Sequence, residues 1–198
     1  MNTRFNYYCY ENAIPHHICD KIISLIKSSK TKLGIVGGEK NKDSRVVNKK
    51  VRKSHVAFDS AWWIYRWTHP FIYKSNKDAG WNFEWDHSEP FQLTEYRPGE
   101  FYKWHTDQFH IPFGEKDPFY MRGKIRKLSS VVALNDGDDY EGGDLEFYKH
   151  NFNGKDPASM RKKGSMVVFP SFVWHRVNPV KKGIRLSLTN WHLGQPFK

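Results

Sequence analysis

Cysteine and long apolar runs are the two features that this sequence most clearly lacks. Its two cysteines, Cys9 and Cys19, cannot build the disulfide framework that small secreted domains use in place of a large core. No apolar stretch has the length of a signal peptide or of a membrane-spanning helix. We therefore expect a cytoplasmic protein that folds in a reducing compartment and does not enter a membrane.

Acidic residues are also scarce relative to basic ones. Lysine and arginine number 32, against 21 aspartate and glutamate residues, which gives a formal net charge of +11. This balance permits binding to nucleic acid or to an acidic protein. The basic runs lie beside turn residues, so we interpret them as solvated loops and strand edges. They occupy residues 27–53, 122–127 and 161–163.

No repeat or low-complexity linker divides the chain, so we predict one domain over residues 1–198. Helical patterns come first and form a helical support over about 1–80. One helix follows Pro15, and a second covers about 60–77, where Pro70 should bend the helix or start a new turn. Short strands follow at close spacing over 82–193. This order predicts an α+β fold whose core is an antiparallel sandwich or barrel.

Alternating apolar residues between turn residues locate the strands. The predicted strands are 7–13, 52–58, 83–85, 91–96, 101–105, 128–134, 144–147, 165–169, 174–177 and 184–191. Aromatic residues over 60–67 are more typical of core packing than of a peptide groove. Segment 108–124 is long, aromatic and rich in Pro and Gly, which suits either a lid or an insertion packed on the barrel rim.

A histidine and an aspartate two residues apart form the first candidate site. His105 and Asp107 end a predicted strand, where this spacing puts both side chains on one face. A lone pair of this kind occurs often by chance. A second histidine from a distant strand would complete the two-histidine, one-carboxylate triad of non-haem Fe(II) oxygenases, which leaves coordination positions open. His175 is the best candidate, because it lies shortly before the last strand.

An oxygenase of this type needs an electron source, and a 2-oxo acid can chelate iron through its keto oxygen and C1 carboxylate. Its far carboxylate then needs a cation. Arg185 follows His175 on the next predicted strand, and a guanidinium can bind a carboxylate through two hydrogen bonds. Ser187 and Thr189 share its strand face. Alone, Arg185 is more simply a solvent-facing residue, but the ordered set of motifs favours a site.

These motifs resemble the prolyl 4-hydroxylase-like branch of the 2-oxoglutarate- and Fe(II)-dependent dioxygenases, most clearly over residues 82–193. The resemblance implies a double-stranded β-helix, a jelly-roll barrel whose open mouth holds the iron, with helices supporting one sheet. The matching motifs are Tyr96-x-Pro-Gly, His105-x-Asp107, Arg126-x-Leu-Ser129, Glu141-Gly-Gly-Asp144, Gly164 to Pro170, His175-x-Val177 and Arg185-x-Ser187 with Trp191.

The resemblance also assigns roles to individual side chains. The residues with catalytic roles are the three iron ligands and the arginine that pairs with the C5 carboxylate of 2-oxoglutarate, namely His105, Asp107, His175 and Arg185. The other residues of the cosubstrate pocket are Tyr96, Tyr102, Ser187, Thr189 and Trp191. Ala133 stands where some prolyl hydroxylases have a second tyrosine, so Ser187, Thr189 or Tyr102 would take that part. The implied cofactors are Fe(II), 2-oxoglutarate and dioxygen, and ascorbate stays open as a reductant.

The implied activity is hydroxylation of a substrate C–H bond with release of succinate and carbon dioxide. A prolyl residue in a protein or peptide is the first hypothesis for the substrate. A free amino acid or another small molecule stays open, as does a non-catalytic jelly-roll binding module. Nucleic-acid demethylation is disfavoured, because the repair demethylases of the superfamily carry a second arginine where this chain has Asn190. The sequence leaves the oligomeric state open.

Overall fold

Two helices precede most of the strands along the chain, as the sequence predicts. The computed structural model describes residues 6–28, 31–35, 47–109, 111–148 and 160–197. The helices in these ranges are α1 (His16–Ser28) and α2 (Trp62–Asp78), and neither is long and apolar enough to cross a membrane. The strands are β1 (Tyr8–Tyr10), β2 (Lys32–Leu33), β3 (Arg52–Lys53), β4 (His55–Asp59), β5 (His87–Ser88), β6 (Phe91–Tyr96), β7 (Phe101–His105), β8 (Ile125–Ala133), β9 (Tyr140–Gly142), β10 (Leu145–Phe147), β11 (Met166–Pro170), β12 (His175–Val177), β13 (Val180–Gly183) and β14 (Arg185–Gly194).

The strands form two sheets that face each other. The larger sheet has the order β1-β11-β8-β14-β6-β4-β2, with β5 beside β14, and the smaller has the order β10-β12-β7-β3. A separate ribbon pairs β13 with β9. The pairings are antiparallel, which confirms the predicted α+β class with an antiparallel core. The stretch before residue 82, predicted as helical support, also supplies strands to both sheets.

The outer face of the larger sheet carries the main hydrophobic core. Leu93, Val132 and Leu188 lie side by side on three neighbouring strands and are buried against the helices. Helix α1 adds Ile18 and Ile22, because a four-residue spacing puts both on one helical face. Each such side chain stabilises the fold by roughly 1.5–3 kcal/mol. Strand alternation then turns the intervening side chains inward, and the candidate site lies on that inner face.

Two predicted strands differ from the observed ones. Segment 52–58 is two strands, because the chain passes from the smaller sheet (β3) to the larger (β4) at the buried Ser54. Segment 83–85 is not a strand, so that prediction is wrong. The Phe83 N–H donates to Asn76 Oδ1 (2.9 Å), and the Phe83 carbonyl accepts from Asn76 Nδ2 (2.8 Å). A side chain of α2 therefore occupies the backbone groups that a ladder would need.

Helix α2 departs from its predicted form in part. Of the two alternatives for Pro70, a bend or a new turn, the new turn is wrong, because the helix continues through Pro70. Pro70 is exposed, and so is Arg66, whose carbonyl loses its helical partner, so water can satisfy that group. The predicted core packing of the aromatic residues is also wrong for Trp62 and Trp67, whose exposures are 68% and 37%. Tyr65 does pack on Phe91 and donates to the Glu89 carbonyl.

A buried histidine joins α2 to the last strand. His192 on β14 has its Nδ1 at 2.9 Å from Ser88 Oγ, and Ser88 Oγ lies 3.1 Å from Nε2 of His69 on α2. Burial, with a smaller contribution from His69, lowers the pKa of His192 to about 3. His192 is therefore neutral in the folded protein, whereas an unfolded chain protonates it below about pH 6.5.

We expect this histidine to make the protein acid-labile. Because only the unfolded state binds a proton at His192 in this pH range, the contribution of His192 to the free energy of unfolding is complete above about pH 6.5. It is lost as the pH falls towards 3, by up to about 5 kcal/mol. Urea denaturation between pH 7.5 and pH 4 should show this slope, and His192→Gln should reduce it. An equal slope in the variant would contradict this origin.

Candidate metal centre and cosubstrate pocket

Two histidines and an aspartate meet at one end of the smaller sheet. His105 ends β7 directly opposite His175, which begins β12, and Asp107 follows two residues after His105. One ligand atom from each residue lies within 4.8 Å of the others. His105 Nε2 is 3.8 Å from Asp107 Oδ1, and His175 Nε2 is 3.6 Å from Asp107 Oδ2. The structure thus brings together the three residues that the sequence singled out as iron ligands.

A β-bulge and a tight turn aim these side chains inward. Val177 pairs with Tyr102 and His175 with His105, so three residues of β7 occupy the length of two on β12. Tyr102 and His105 therefore face the same side, and their rings stack with centroids 3.4 Å apart. Beyond the strand, the Asp107 N–H donates to the Ser171 carbonyl (2.9 Å), which anchors the bend that carries the carboxylate to the loop after β11.

Hydrogen bonds to backbone carbonyls orient both imidazoles. His105 Nδ1 lies 2.7 Å from the Lys103 carbonyl, and His175 Nδ1 lies 2.9 Å from the Val173 carbonyl. A carbonyl only accepts, so each Nδ1 carries the hydrogen and each Nε2 presents a lone pair towards Asp107. Burial, and then His175, hold the pKa of His105 well below its usual value. A neutral imidazole is the form that binds a metal.

The Asp107 carboxylate completes a donor set that fits a divalent cation. Burial alone would raise the pKa of Asp107, but His175, His105 and Arg126 outweigh burial and hold this pKa below its usual value. Oδ2 is nevertheless buried and accepts no hydrogen bond within the described part of the chain. A buried ionised oxygen needs a partner. Two Nε2 lone pairs and this oxygen suit Fe(II).

Arg126 and Glu89 support this centre and were missed by the sequence interpretation. Arg126 belongs to a basic run predicted to be solvated, yet its Nε and Nη2 donate to the two Glu89 carboxylate oxygens at 2.6 and 2.7 Å. Its guanidinium lies 3.9 Å from the Trp191 ring centroid, and its Nη1 is 3.4 Å from the Asp107 carbonyl. The available signal was its position just before a predicted strand, which in fact begins at Ile125.

A second arginine lies at the start of β14 and, unlike Arg126, has no acidic partner among the described residues. Arg185 is buried opposite Tyr96 of β6, and its Cζ is 5.5 Å from the Tyr96 ring centroid. Its Nη1 donates to Ser187 Oγ at 3.2 Å. Within the described residues, no carboxylate lies within 4 Å of its guanidinium. Ala133, directly opposite Ser187 on β8, contributes only a methyl group at this position.

The remaining predicted pocket residues also lie on the inner face of the barrel. Thr189 and Trp191 share the strand face of Arg185 by alternation. The Trp191 Nε1–H is buried and has no acceptor in the part of the chain that is described. Tyr102 reaches this space from the smaller sheet, and burial raises its pKa to about 12, so it can donate a hydrogen bond as a neutral phenol.

The Gly-Gly motif brings the backbone against Arg185. Gly143 has a φ of 68°, and a Cβ there would lie 2.9 Å from Val180 Cγ2 and 3.2 Å from Arg185 Cδ, so only glycine fits. Arg161, predicted to be solvated, holds this loop by donating to Asp144 and to backbone carbonyls. Those carbonyls belong to Gly137, Tyr140 and Gly142.

Segment 108–124 is anchored at its base. The Phe113 N–H donates to the Lys124 carbonyl, and the Gly123 N–H donates to the Phe113 carbonyl. Phe113 packs with Met121 and with Leu193 of β14. Phe119, towards the tip, is 85% exposed. At its base, the segment therefore packs on the barrel rim, as expected for a structural insertion.

Three comparisons with known proteins bear on these features. A PKHD-type hydroxylase of Sphingopyxis alaskensis is 36% identical over 101 residues, which are 49% of this chain and 40% of that protein. The chain thus spans about two-fifths of the length of that relative. A prolyl-4-hydroxylase of Pseudomonas putida superposes with a TM-score of 0.66 at 18% identity, covering 98% of this chain and 95% of the other.

A prolyl hydroxylase of Trichoplax adhaerens, solved with a hypoxia-inducible-factor oxygen degradation domain peptide, has a TM-score of 0.65. Its identity is 18%, and the match covers 96% of this chain and 84% of that one. These structural matches confirm the jelly-roll fold. The family described as the 2OG-Fe(II) oxygenase superfamily has a sequence model that matches residues 91–193 of this chain. These residues include the three candidate ligands and Arg185. Fe(II), 2-oxoglutarate and dioxygen are the cofactors that this family implies. The chain therefore belongs to the 2OG-Fe(II) oxygenase superfamily.

Proposed function

We propose that this protein is a dioxygenase that uses Fe(II) and 2-oxoglutarate to hydroxylate a prolyl residue of a protein or peptide. The observation that carries the proposal is the presence, inside one barrel, of the His-Asp-His cluster and of an arginine without an acidic partner. Each feature alone is common. Together they supply a metal centre with open coordination positions and a cation for the far carboxylate of the cosubstrate.

In this proposal, His105, Asp107 and His175 hold Fe(II) through their two Nε2 atoms and one carboxylate oxygen. Bound iron supplies the oxidising chemistry: 2-oxoglutarate and dioxygen become succinate and carbon dioxide, and one oxygen atom enters a substrate C–H bond. The Lys103 and Val173 carbonyls keep each Nε2 directed at the metal position. The protein thus contributes fixed ligand geometry before any substrate binds.

The cosubstrate would lie between the two sheets. The Arg185 guanidinium pairs with its C5 carboxylate, and Ser187 keeps the guanidinium in place through the hydrogen bond to Nη1. Tyr96 and Tyr102 can each donate a phenolic hydrogen to the bound acid. Trp191 closes one side of this space with an apolar ring, which limits entry of water to the reacting centre.

The peptide substrate is the finer part of the proposal. It is supported by the hydroxylases and prolyl hydroxylases that this chain resembles, one of them solved with a peptide. The exposed aromatic tip of segment 108–124 beside the barrel rim offers a surface for an extended chain. A free amino acid as substrate and a non-catalytic binding module are the alternatives that an experiment must separate.

Succinate formation by the purified protein tests the proposal. The protein would be given 2-oxoglutarate, Fe(II), ascorbate and oxygen, with and without proline-containing peptides. We expect peptide to stimulate succinate release and a prolyl residue to gain the mass of one oxygen atom. Turnover with a free amino acid alone would keep the oxygenase and change its substrate. Absence of turnover, with metal binding that does not respond to 2-oxoglutarate, would favour the binding module.

A further inference from the structure

A third arginine inside the barrel has no role in the proposal so far. Arg52 on β3 is only 5% exposed and lies directly opposite Tyr102 of β7. Residues paired in this way share one face of a sheet, so Arg52 faces the interior together with Tyr102. Its Cζ lies 4.7 Å from the Tyr102 ring centroid, and the Tyr102 ring stacks on the candidate iron ligand His105. Arg52 thus borders the metal centre.

The described contacts of Arg52 are with neutral groups. Its Nε donates to Ser54 Oγ at 2.9 Å, and its Nη1 donates to the Ile35 carbonyl at 3.1 Å. Within the described ranges, its Nη2 has no hydrogen-bond partner, and no carboxylate lies within 4 Å of the guanidinium. Nη2 is not fully buried, so it keeps some accessible surface for a ligand.

The guanidinium of Arg52 lies close to the backbone of Gly34. A Cβ at Gly34 would lie 2.5 Å from Arg52 Nε and 2.7 Å from Ser54 Oγ. Only a glycine leaves room for the side chain to extend along this path. Since an arginine keeps its charge in proteins, its burial costs free energy unless an anion binds there.

The charges of the proposed complex leave Arg52 unmatched. Arg126 is paired with Glu89, and Arg185 would be paired with the C5 carboxylate of 2-oxoglutarate. Asp107 and the C1 carboxylate would both be metal ligands. Among the arginines described on the inner side of the barrel, Arg52 is therefore the one for which neither the described residues nor the cosubstrate supplies an anion.

We propose that Arg52 binds a carboxylate of the substrate through Nη2, so that the substrate carries a negative charge near the carbon that is hydroxylated. The inference rests on the proposed function, and it narrows the substrate class to anionic molecules. The carboxylate can come from an Asp or Glu side chain of a peptide or from the α-carboxylate of a free amino acid. Both have the planar geometry that a guanidinium recognises.

Substrate binding under anaerobic conditions tests this without requiring turnover. Calorimetric titration of the protein loaded with Fe(II) and 2-oxoglutarate would compare binding affinities within two pairs of probes. One pair is an end-blocked peptide with Glu beside proline and the same peptide with Gln, and the other pair is L-proline and L-prolinamide. We expect at least one carboxylate member to bind about tenfold or more tightly than its neutral partner, as for a hydrogen bond between charged groups. The pair that shows the preference identifies the source of the carboxylate.

Variants at Arg52 should remove this preference. Arg52→Gln should bring the two members of the pair to within about twofold, and Arg52→Lys should retain part of the difference. Gly34→Ala, which leaves the arginine in the chain but displaces its guanidinium, should act like Arg52→Gln. Arg66→Gln, which removes one exposed charge from α2, serves as the control and should leave the preference unchanged.

Three results would overturn the inference. The first is equal affinity for both members of every pair, and the second is a preference for the carboxylate member that survives Arg52→Gln. The third is an Arg52→Gln variant that loses only its affinity for 2-oxoglutarate, which would make Arg52 part of the cosubstrate pocket. The proposed function fails separately. If binding prefers the carboxylate member through Arg52 but no proline is oxidised under oxygen, only the prolyl substrate is refuted. If proline is oxidised but binding shows no preference for the carboxylate member, only the role of Arg52 is refuted.

Discussion

Replacing His175 by alanine should lower turnover by more than about a hundredfold while the barrel stays folded. Losing an outer-shell partner of a metal ligand costs about 10- to 100-fold, and loss of the ligand itself should cost more. The side chain packs on Phe169 and His105 and is buried, so a modest loss of stability accompanies the change. Succinate formation at saturating Fe(II) and 2-oxoglutarate measures the effect.

Metal binding distinguishes a lost ligand from a damaged fold. Anaerobic titration with Fe(II) should show one site in the wild type and a much weaker one in His175→Ala, and circular dichroism should show that both chains are folded. His17→Ala, which removes an exposed imidazole from α1, should bind and turn over as the wild type does. Undiminished turnover in His175→Ala would exclude His175 as an iron ligand.

Replacing Arg185 by alanine should raise the 2-oxoglutarate requirement steeply. Removal of one partner from a buried charged pair costs on the order of 2–5 kcal/mol, which corresponds to about 30-fold or more in affinity. The candidate metal ligands lie on β7, just after β7 and on β12, and this side chain makes no hydrogen bond to them among those described, so Fe(II) binding should persist. Titration of succinate formation with 2-oxoglutarate gives the shift.

Arg185→Lys sharpens this prediction. Lysine keeps the charge but not the planar pair of donors, so it should recover only part of the affinity. The control Arg66→Ala removes an exposed arginine and should leave the requirement unchanged. If Arg185→Ala shows the wild-type 2-oxoglutarate requirement, the carboxylate binds elsewhere in the barrel.

The sequence determined those features that depend on local spacing. Alternation placed β6 and β7 at their observed bounds, and the two-residue spacing of His105 and Asp107 marked the end of a strand. The order of the motifs selected His175 and Arg185 from a chain with many other histidines and arginines. The strand bounds are confirmed because strand geometry restricts which residue types can stand at which separation. The roles of His175 and Arg185 stay predictions that rest on the restrictions of metal coordination.

The tertiary structure decided which charged residues are withdrawn from solvent. Arg52, Arg126 and the partly buried Arg161 lie in runs that predict solvated loops, and their partners come from elsewhere in the chain. Segment 83–85 has a strand-like pattern, but the Asn76 side chain takes its backbone groups. The sequence shows that a guanidinium or a backbone amide is present, but the group that forms a hydrogen bond or ion pair with it depends on how distant parts of the chain pack. For that physical reason the motifs alone identified the family, whereas only the folded barrel revealed Arg52, an arginine with no carboxylate partner among the described residues, beside the candidate metal centre.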